Sequence, residues 1–294
     1  MEANYDRRHP YPIVLLRHAE DDHRVDAIVG MLQRCAELDP PVVFTRHRAS
    51  DMTWNIAAID RDWLHKTFAM VEDPVERSLG LLAVMTEHDE PVKLMVQRQL
   101  RWRPYRYEIV NIDVPWAPKI QDRPLLTKRE QLFTLMREAA MAFGADIGAI
   151  YPRSLYALVR VASGSQAPST ATPGKGNGSP KGRGATIPPF IAQLPDGLFE
   201  RFTSLRPTRT FDAAAVPESV WWGNVWSAQV VEHIGRQRIE AQPWARIEPC
   251  GDGGLFLLAT RQRPSPGKPE TLERIAELNE ALGLAELQRA EPAG

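Results

Sequence analysis

Only two cysteines, Cys35 and Cys250, occur in the 294 residues. They lie far apart and form no CxxC pair, which excludes a disulfide framework and a cysteine-built zinc site and points to a reducing, cytoplasmic setting. Charge of one sign is also missing. Lys plus Arg (36) nearly equals Asp plus Glu (37), so a net charge of −1 gives no overall attraction to nucleic acid or anionic membrane. Any charge-driven partner must therefore meet a local patch. Nowhere do apolar residues run for the ~18 positions that span a bilayer. The opening "MEANYDRRHPYP" has early charge and no apolar core, so it does not read as an export signal. A glycine-rich phosphate loop, HExxH and GxSxG are all absent, and no cofactor or metal is expected. No internal period appears, which argues against a solenoid.

What is present is the content of a folded protein, 43% hydrophobic. Residues 163–186, "SGSQAPSTATPGKGNGSPKGRGAT", contain no aromatic and no acid. Such a stretch cannot bury enough apolar area to offset its ordering entropy, and it is predicted to be a flexible linker or inserted loop. It separates an N-terminal part, 1–162, from a C-terminal part, 187–294, expected to pack together as one domain. In the first part, Ile13 to Leu16 read as a strand, followed by a helix with Val25, Ile28, Val29, Leu32 and Cys35 at helical spacing. A strand is predicted at Val42 to Thr45. "TKREQLFTLMREAAMAFG" is the clearest helix, with a Thr127/Glu130 capping box, a stripe through Leu132, Phe133, Met136, Ala139, Ala140 and Phe143, and Gly144 as its stop. "RYEIVNIDV" and "SLYALVRVA" read as strands. In the second part, Pro217 to Ile234 read as one helix ending at Gly235, "GGLFLLAT" as a buried strand, and "ETLERIAELNEALG" as a terminal helix capped by Gly283. Strands and helices alternate without a strict βαβ rhythm. The expected class is α+β, a mixed or antiparallel sheet packed with helices.

Two stretches carry enough chemistry to test. Arg17-His18-Ala19-Glu20 after an apolar strand resembles the first motif of the histidine phosphatases, in which the histidine accepts a phosphoryl group and arginines hold its oxygens. The rest of that constellation is not matched: Arg48-Ala49 lacks the preceding serine pattern, and His233 sits in a predicted helix. The competing reading is a strand end, with Glu20 and Asp21 at the following helix's N-terminus. In 98–107, Arg98, Arg101, Arg103 and Arg106 alternate with Trp102, Tyr105 and Tyr107, a mixture able to stack on bases and neutralise phosphates. Arginine over aromatic rings is equally a feature of ordinary sheets. His88, Asp89 and Glu90 before Pro91 read as a solvated turn.

A family resemblance lies in the C-terminal third. "PESVWWGNVWS" (217–227), Gly253-Gly254 opening an apolar strand, and a last helix running into Leu282-Gly283-Leu284 are similar to the immunity protein 52 family of bacterial polymorphic toxin systems. The resemblance implies an α+β fold and a protein that binds and neutralises a cognate effector toxin, commonly a nuclease of a type VI secretion system, without catalysis of its own. The 163–186 segment departs from the family pattern, and the N-terminal part does not align. For such an inhibitor the candidate toxin-binding positions are the acids Asp21, Asp22, Glu87, Asp89 and Glu90, which would steer toward a basic cleft, and Trp222 as an aromatic anchor. Among Trp221, Trp222 and Trp226, the competing reading is that all three are core. The partner is expected to be the toxin, with no direct nucleic-acid or membrane contact, and homodimerisation stays open.

Overall fold

In a computed structural model, described over residues 11–18, 24–49, 52–57, 59–71, 81–86, 92–99, 107–115, 128–164, 188–207 and 210–291, one antiparallel sheet organises the chain. Its strands are β1 (Tyr11–His18), β2 (Arg46–Ala49), β3 (Met52–Asn55), β4 (Leu81–Met85), β5 (Lys93–Gln99), β6 (Tyr107–Val114), β7 (Ile147–Ile150), β8 (Gly223–Trp226), β9 (Arg246–Cys250) and β10 (Gly254–Leu258). The spatial order is β3-β2-β4-β5-β6-β1-β7-β8-β10-β9, with every neighbouring pair antiparallel. The α+β class holds, and the sheet is antiparallel rather than mixed.

Strand β1 joins two wings. On one side it pairs with β6 (Ile13 opposite Ile112), on the other with β7 (Ile13 opposite Ile150). Because successive side chains point to opposite faces, Ile13 and Leu15 enter one core while Val14 and Leu16 lean on the other. Helices α1 (Arg24–Ala36), α2 (Arg61–Val71) and α3 (Arg129–Phe143) cover the first face, contributing Ile28, Met31, Leu64, Phe68, Met136 and Phe143. Helices α4 (Arg153–Ala162), α5 (Leu198–Phe202), α6 (Ala228–Ile234), α7 (Arg236–Glu240), α8 (Pro269–Ala281) and α9 (Leu284–Ala290) cover the second, with Leu158, Phe202, Val231, Ile239, Ile275 and Leu284. The sheet crosses the 163–186 segment without a break, since β7 before it pairs with β8 after it. Residues 165–187 lie outside the described residues. Among the described residues no helix is long and apolar enough to cross a membrane.

Several predicted elements are in place. The stripe of α3 is buried throughout, and Gly144 closes the helix at φ 67°. Its start lies one residue later than the predicted box: the Lys128 N–H donates to Gln131 Oε1 at 3.0 Å, while Glu130 receives Arg246 Nη1 at 2.7 Å. Thr127 lies outside the described residues. Leu272, Ile275, Leu278 and Leu282 of the α8 region face inward as expected.

Three predicted elements need correction. Residues 42–45 precede the strand rather than forming it: Val42 and Phe44 are buried, the Val42 N–H donates to the Cys35 carbonyl at 2.9 Å, the Thr45 carbonyl accepts the Ile56 N–H at 2.7 Å, and β2 itself begins at Arg46. "SLYALVRVA" is helix α4, not a strand. Leu155, Leu158 and Val159 fall three and four residues apart, and Pro152 is accommodated at the N-cap, where a missing N–H costs no helical bond. Pro217 to Ile234 is not one helix. Asn224 holds a turn by accepting the Trp221 N–H at 2.8 Å and donating back to the Trp221 carbonyl at 2.9 Å. Strand β8 follows at once, and only from Ser227, whose hydroxyl accepts the Val230 N–H, does helix α6 begin.

The backbone is tightest at Gly254, where an added Cβ would lie 2.4 Å from the Cys250 carbonyl oxygen and 2.7 Å from that of Trp226. Gly254→Ala is therefore expected to lower stability by about 1–3 kcal/mol, the usual cost of overpacking against atoms that cannot rotate away. Gly30→Ala, on α1 with its nearest new neighbour at 3.6 Å, should be neutral or stabilising by up to ~1 kcal/mol through helix propensity. Urea midpoints at unchanged slope measure both.

Candidate functional site

The antiparallel register sets Arg17 opposite Glu108 and His18 opposite Tyr107 at the end of β1. Strand alternation then sends one polar pair to each face. On the first face, Arg17 Nη2 donates to Glu108 Oε2 at 3.0 Å, and Glu108 is fully buried. Arg24, the first residue of α1, brings its Nε to 3.7 Å from Glu108 Oε1 and lies over the Phe68 ring at 3.6 Å. Two guanidinium groups thus serve one carboxylate in a nearly dry setting, where loss of one partner costs far more than the pair contributes net.

On the second face His18 is bracketed by carboxylates. Its Nε2 lies 3.0 Å from Asp212 Oδ2, and its Nδ1 lies 3.7 Å from Asp146 Oδ2. Its backbone N–H also donates to Asp146 Oδ2 at 2.8 Å. Asp212 accepts the Tyr107 hydroxyl at 2.8 Å and the Ala214 N–H at 3.0 Å through Oδ1, and the Tyr107 oxygen accepts the Ala213 N–H at 2.9 Å. Asp146 follows the turn that closes α3, and its main chain joins β1 and β8: its N–H donates to the Leu16 carbonyl and its carbonyl accepts the Ser227 N–H, both at 2.9 Å. The cluster therefore fastens β1, β6, the α3–β7 turn and the 212–216 turn together.

Electrostatics divide the two acids. Burial alone would raise the Asp212 carboxyl, but the hydrogen bonds from His18 and Tyr107, the His18 charge and the Ala214 N–H outweigh it and hold the group below its ordinary range. At Asp146 burial wins: the group is raised despite the His18 backbone hydrogen bond, His18 and Arg17, with Asp212 adding repulsion. Chemically, this arrangement turns inward the groups that would face a phosphate. Both His18 ring nitrogens point at carboxylates, and Arg17 is committed to Glu108.

The remaining members of the phosphatase motif lie elsewhere. Arg48 is on β2, four strand spacings from β1, or roughly 19 Å. His233, on α6, turns its Nε2 toward Glu291 Oε1 at 3.7 Å. Glu20 lies outside the described residues, as do the proposed toxin-binding acids Asp21, Asp22, Glu87, Asp89 and Glu90. Trp222 is 1% exposed. It packs on Tyr11 and Phe133 and donates its indole N–H to the Thr260 carbonyl at 3.1 Å. That corrects its reading as a surface anchor; Trp221 and Trp226 are buried as well. Tyr107, counted with the arginine and aromatic stretch 98–107, is fully buried and offers no face for stacking on a base; 100–106 lie outside the described residues. Among the described residues no group of three or more His, Cys, Asp or Glu side chains is placed to hold a metal.

Sequence reasoning missed Asp146, Asp212 and Glu108. A partial signal existed for Asp212, an aspartate opening "DAAAVP", where the side chain accepts its own turn's N–H two residues on. Nothing local marks Glu108, whose role comes from register.

No family model matches the chain, and no curated protein matches it in sequence. The resemblance of 217–284 to the immunity protein 52 family therefore stands without a family match. A T6SS protein from Pseudomonas aeruginosa is similar in structure, with a TM-score of 0.45 and 12% identity over 93% of this chain and 72% of that one. Likeness at that score says nothing about activity.

The two acids predict opposite pH behaviour. Asp212, with a depressed folded value, contributes stability that is complete above the unfolded carboxylate range and is lost as pH falls through its own folded value. Asp146, with a raised folded value, contributes at low pH and loses that contribution as pH rises through its folded value. Thermal melts from pH 3 to pH 6 should show a shallower acid loss in Asp212→Asn than in the parent, and a steeper one in Asp146→Asn. The thiols supply a separate check. Burial raises Cys35 to about 12 and Cys250 to about 11, so at pH 8 neither should react appreciably with a thiol reagent until denaturant is added.

Proposed function

We propose that this chain is an immunity protein: an antitoxin-like inhibitor that binds a cognate effector, a nuclease of a type VI secretion system, and occludes its active site. The observation that favours a binding role over the phosphohydrolase alternative is the commitment of both His18 ring nitrogens to Asp146 and Asp212. A phosphoryl acceptor needs one nitrogen aimed at the substrate. The features that carry the family resemblance fit a structural frame for such a protein. Gly253 and Gly254 enter β10, Gly283 turns α8 into α9 at φ 65°, and the 217–227 segment is the turn and strand that Asn224 shapes.

The acids at the β1 end support the steering part of the proposal. Asp146 and Asp212 retain 18% and 11% side-chain exposure, and Asp21 and Asp22 follow a few residues after β1 in the chain. Acidic charge facing a basic nucleic-acid cleft accelerates association and suppresses wrong partners more than it deepens affinity. The mechanism is stoichiometric occlusion, with no bond made or broken by this chain.

The test is titration, with this protein, of a nuclease effector sought among the products of the genes beside its own. Cleavage should stop at a fixed molar ratio, and the paired reversal Asp21→Lys with Asp22→Lys should slow association about tenfold at low salt while leaving dissociation little changed. Association that ignores ionic strength would remove the steering claim. Turnover of a phenyl phosphate that disappears in His18→Ala would replace the proposal with the phosphohydrolase reading. A DNA or RNA shift with a steep salt slope would replace it with the nucleic-acid-binding one.

A further inference from the structure

Where α3 stops, a cleft of about 310 Å³ opens between its last turn, the β8–α6 junction and the β9–β10 turn. That volume is at the lower end of ligand pockets, roughly 300–1,000 Å³, and takes one large side chain or a small molecule. The floor is apolar: Ala140, Ala145, Val225 and Cys250 line it and are buried. Burial raises the Cys250 thiol to about 11, so the floor is uncharged at neutral pH. The mouth is formed by Met141, Gly144, Ala228, Gly251 and Asp252, all exposed. A Cβ on Gly251 would meet only Met141 Cγ, at 4.0 Å, which leaves the mouth open between helix and turn. Met141 itself is 38% exposed, and a flexible thioether at a rim adapts to the apolar group that enters.

The mouth is negative. Met141 and Gly144 belong to the C-terminal end of a 15-residue helix, where the backbone dipole leaves partial negative charge, and no basic side chain occupies its last turn. Asp252 adds a carboxylate that has no ion-pair partner among the described residues. The arginines of the neighbouring elements are already engaged: Arg17 with Glu108, Arg137 with Glu138 and Glu248, and Arg236 with Glu240 and the Gly253 carbonyl. An uncharged floor below an anionic mouth selects an occupant that is apolar at its tip and positive where it leaves the cleft. We propose that this cleft is an anchor site for the effector, receiving an apolar side chain whose neighbouring residue is a lysine or arginine held at Asp252. The choice of occupant rests on the inhibitor reading; the chemistry of the cleft does not. A nuclease that grips phosphates carries such basic residues on its binding face. An apolar anchor seated in a pocket slows dissociation, whereas steering acids act on association.

NMR titration of the full chain with n-pentylammonium, 1-pentanol and pentanoate, which share one chain length, reads the cleft through the Gly144, Ser227 and Gly251 amides. Saturable shifts are expected, tightest for the ammonium, weaker for the alcohol and weakest for the anion. Asp252→Asn should weaken pentylammonium about two- to fivefold, the scale of one exposed ion pair, and leave 1-pentanol unchanged. Ala228→Trp, a large side chain on an exposed residue of the mouth, should abolish binding of both. Against an inhibited nuclease, Ala228→Trp should speed dissociation at least about tenfold while association changes little. The proposal is overturned if no shift saturates, if pentanoate binds as well as the ammonium, if Asp252→Asn weakens the alcohol equally, or if Ala228→Trp leaves the nuclease at the parent rate. The inhibitor reading fails separately: pentylammonium bound in the cleft of a chain that stops no nuclease removes that reading, and the proposed occupant with it, while the cleft keeps its preference for apolar cations.

Discussion

Pairing of β1 on both of its edges is the constraint on which the rest of the molecule rests. Through β6 it holds the wing that ends in β3, and through β7 the wing that ends in β9. Paired on both edges over Ile13–Leu16, this strand must suit a core on each of its faces. Ile13 and Leu15 do so toward α1 and α3, and Val14 and Leu16 toward the face covered by the later helices. Sliding β1 by one residue would exchange these sets and carry Arg17 away from Glu108. The Arg17–Glu108 pair therefore acts as a register marker: its energy as an ion pair is modest, but its mispairing would strand a buried carboxylate.

Beyond β1, polar side chains rather than extra apolar area join the parts distant in sequence. The Asp146 side chain accepts the His18 N–H while its main chain links β1 to β8, and Asp212 reaches back to His18 and Tyr107 across more than a hundred residues. Asn279 of α8 accepts the Val220 N–H at 2.7 Å, and Gln288 of α9 donates to the Pro217 and Glu218 carbonyls, so the buried ends of the 217–222 segment are satisfied by the two terminal helices. Segments without regular structure can be buried only when their backbone groups find such partners. This explains how the stretch from Pro217 to Trp222 lies inside the molecule as irregular chain.

A histidine held between carboxylates is well suited to fastening and poorly suited to attack. In the Arg-His spelling that suggests phosphoryl transfer, Arg17 faces Glu108 of β6 and His18 faces Asp146 of the α3–β7 turn and Asp212 of the 212–216 turn, so the partners are anionic. The same letters beside arginines and a second histidine would make a different site. Partners, and not the motif, set the chemistry of a histidine.

The sequence by itself determined the elements whose signal is local: the strand before His18, helix α1 with its stripe ending at Cys35, helix α3 with Gly144, strand β10 after Gly253-Gly254, and helix α8. In the helices the apolar period repeats over ten or so residues, and glycine marks the end of α3, the start of β10 and the end of α8. It misjudged 154–162 and 217–226, where short apolar runs fit both periods and non-local contacts decide. Leu155, Leu158 and Val159 become helical because β7 has already ended at Ile150, and Trp222 becomes core because the Asn224 turn leads it into the sheet beside Phe133. Only the tertiary structure decided the surroundings of His18, since the register of β1 with β6 and the return of residue 212 bring together groups that no window of the sequence contains.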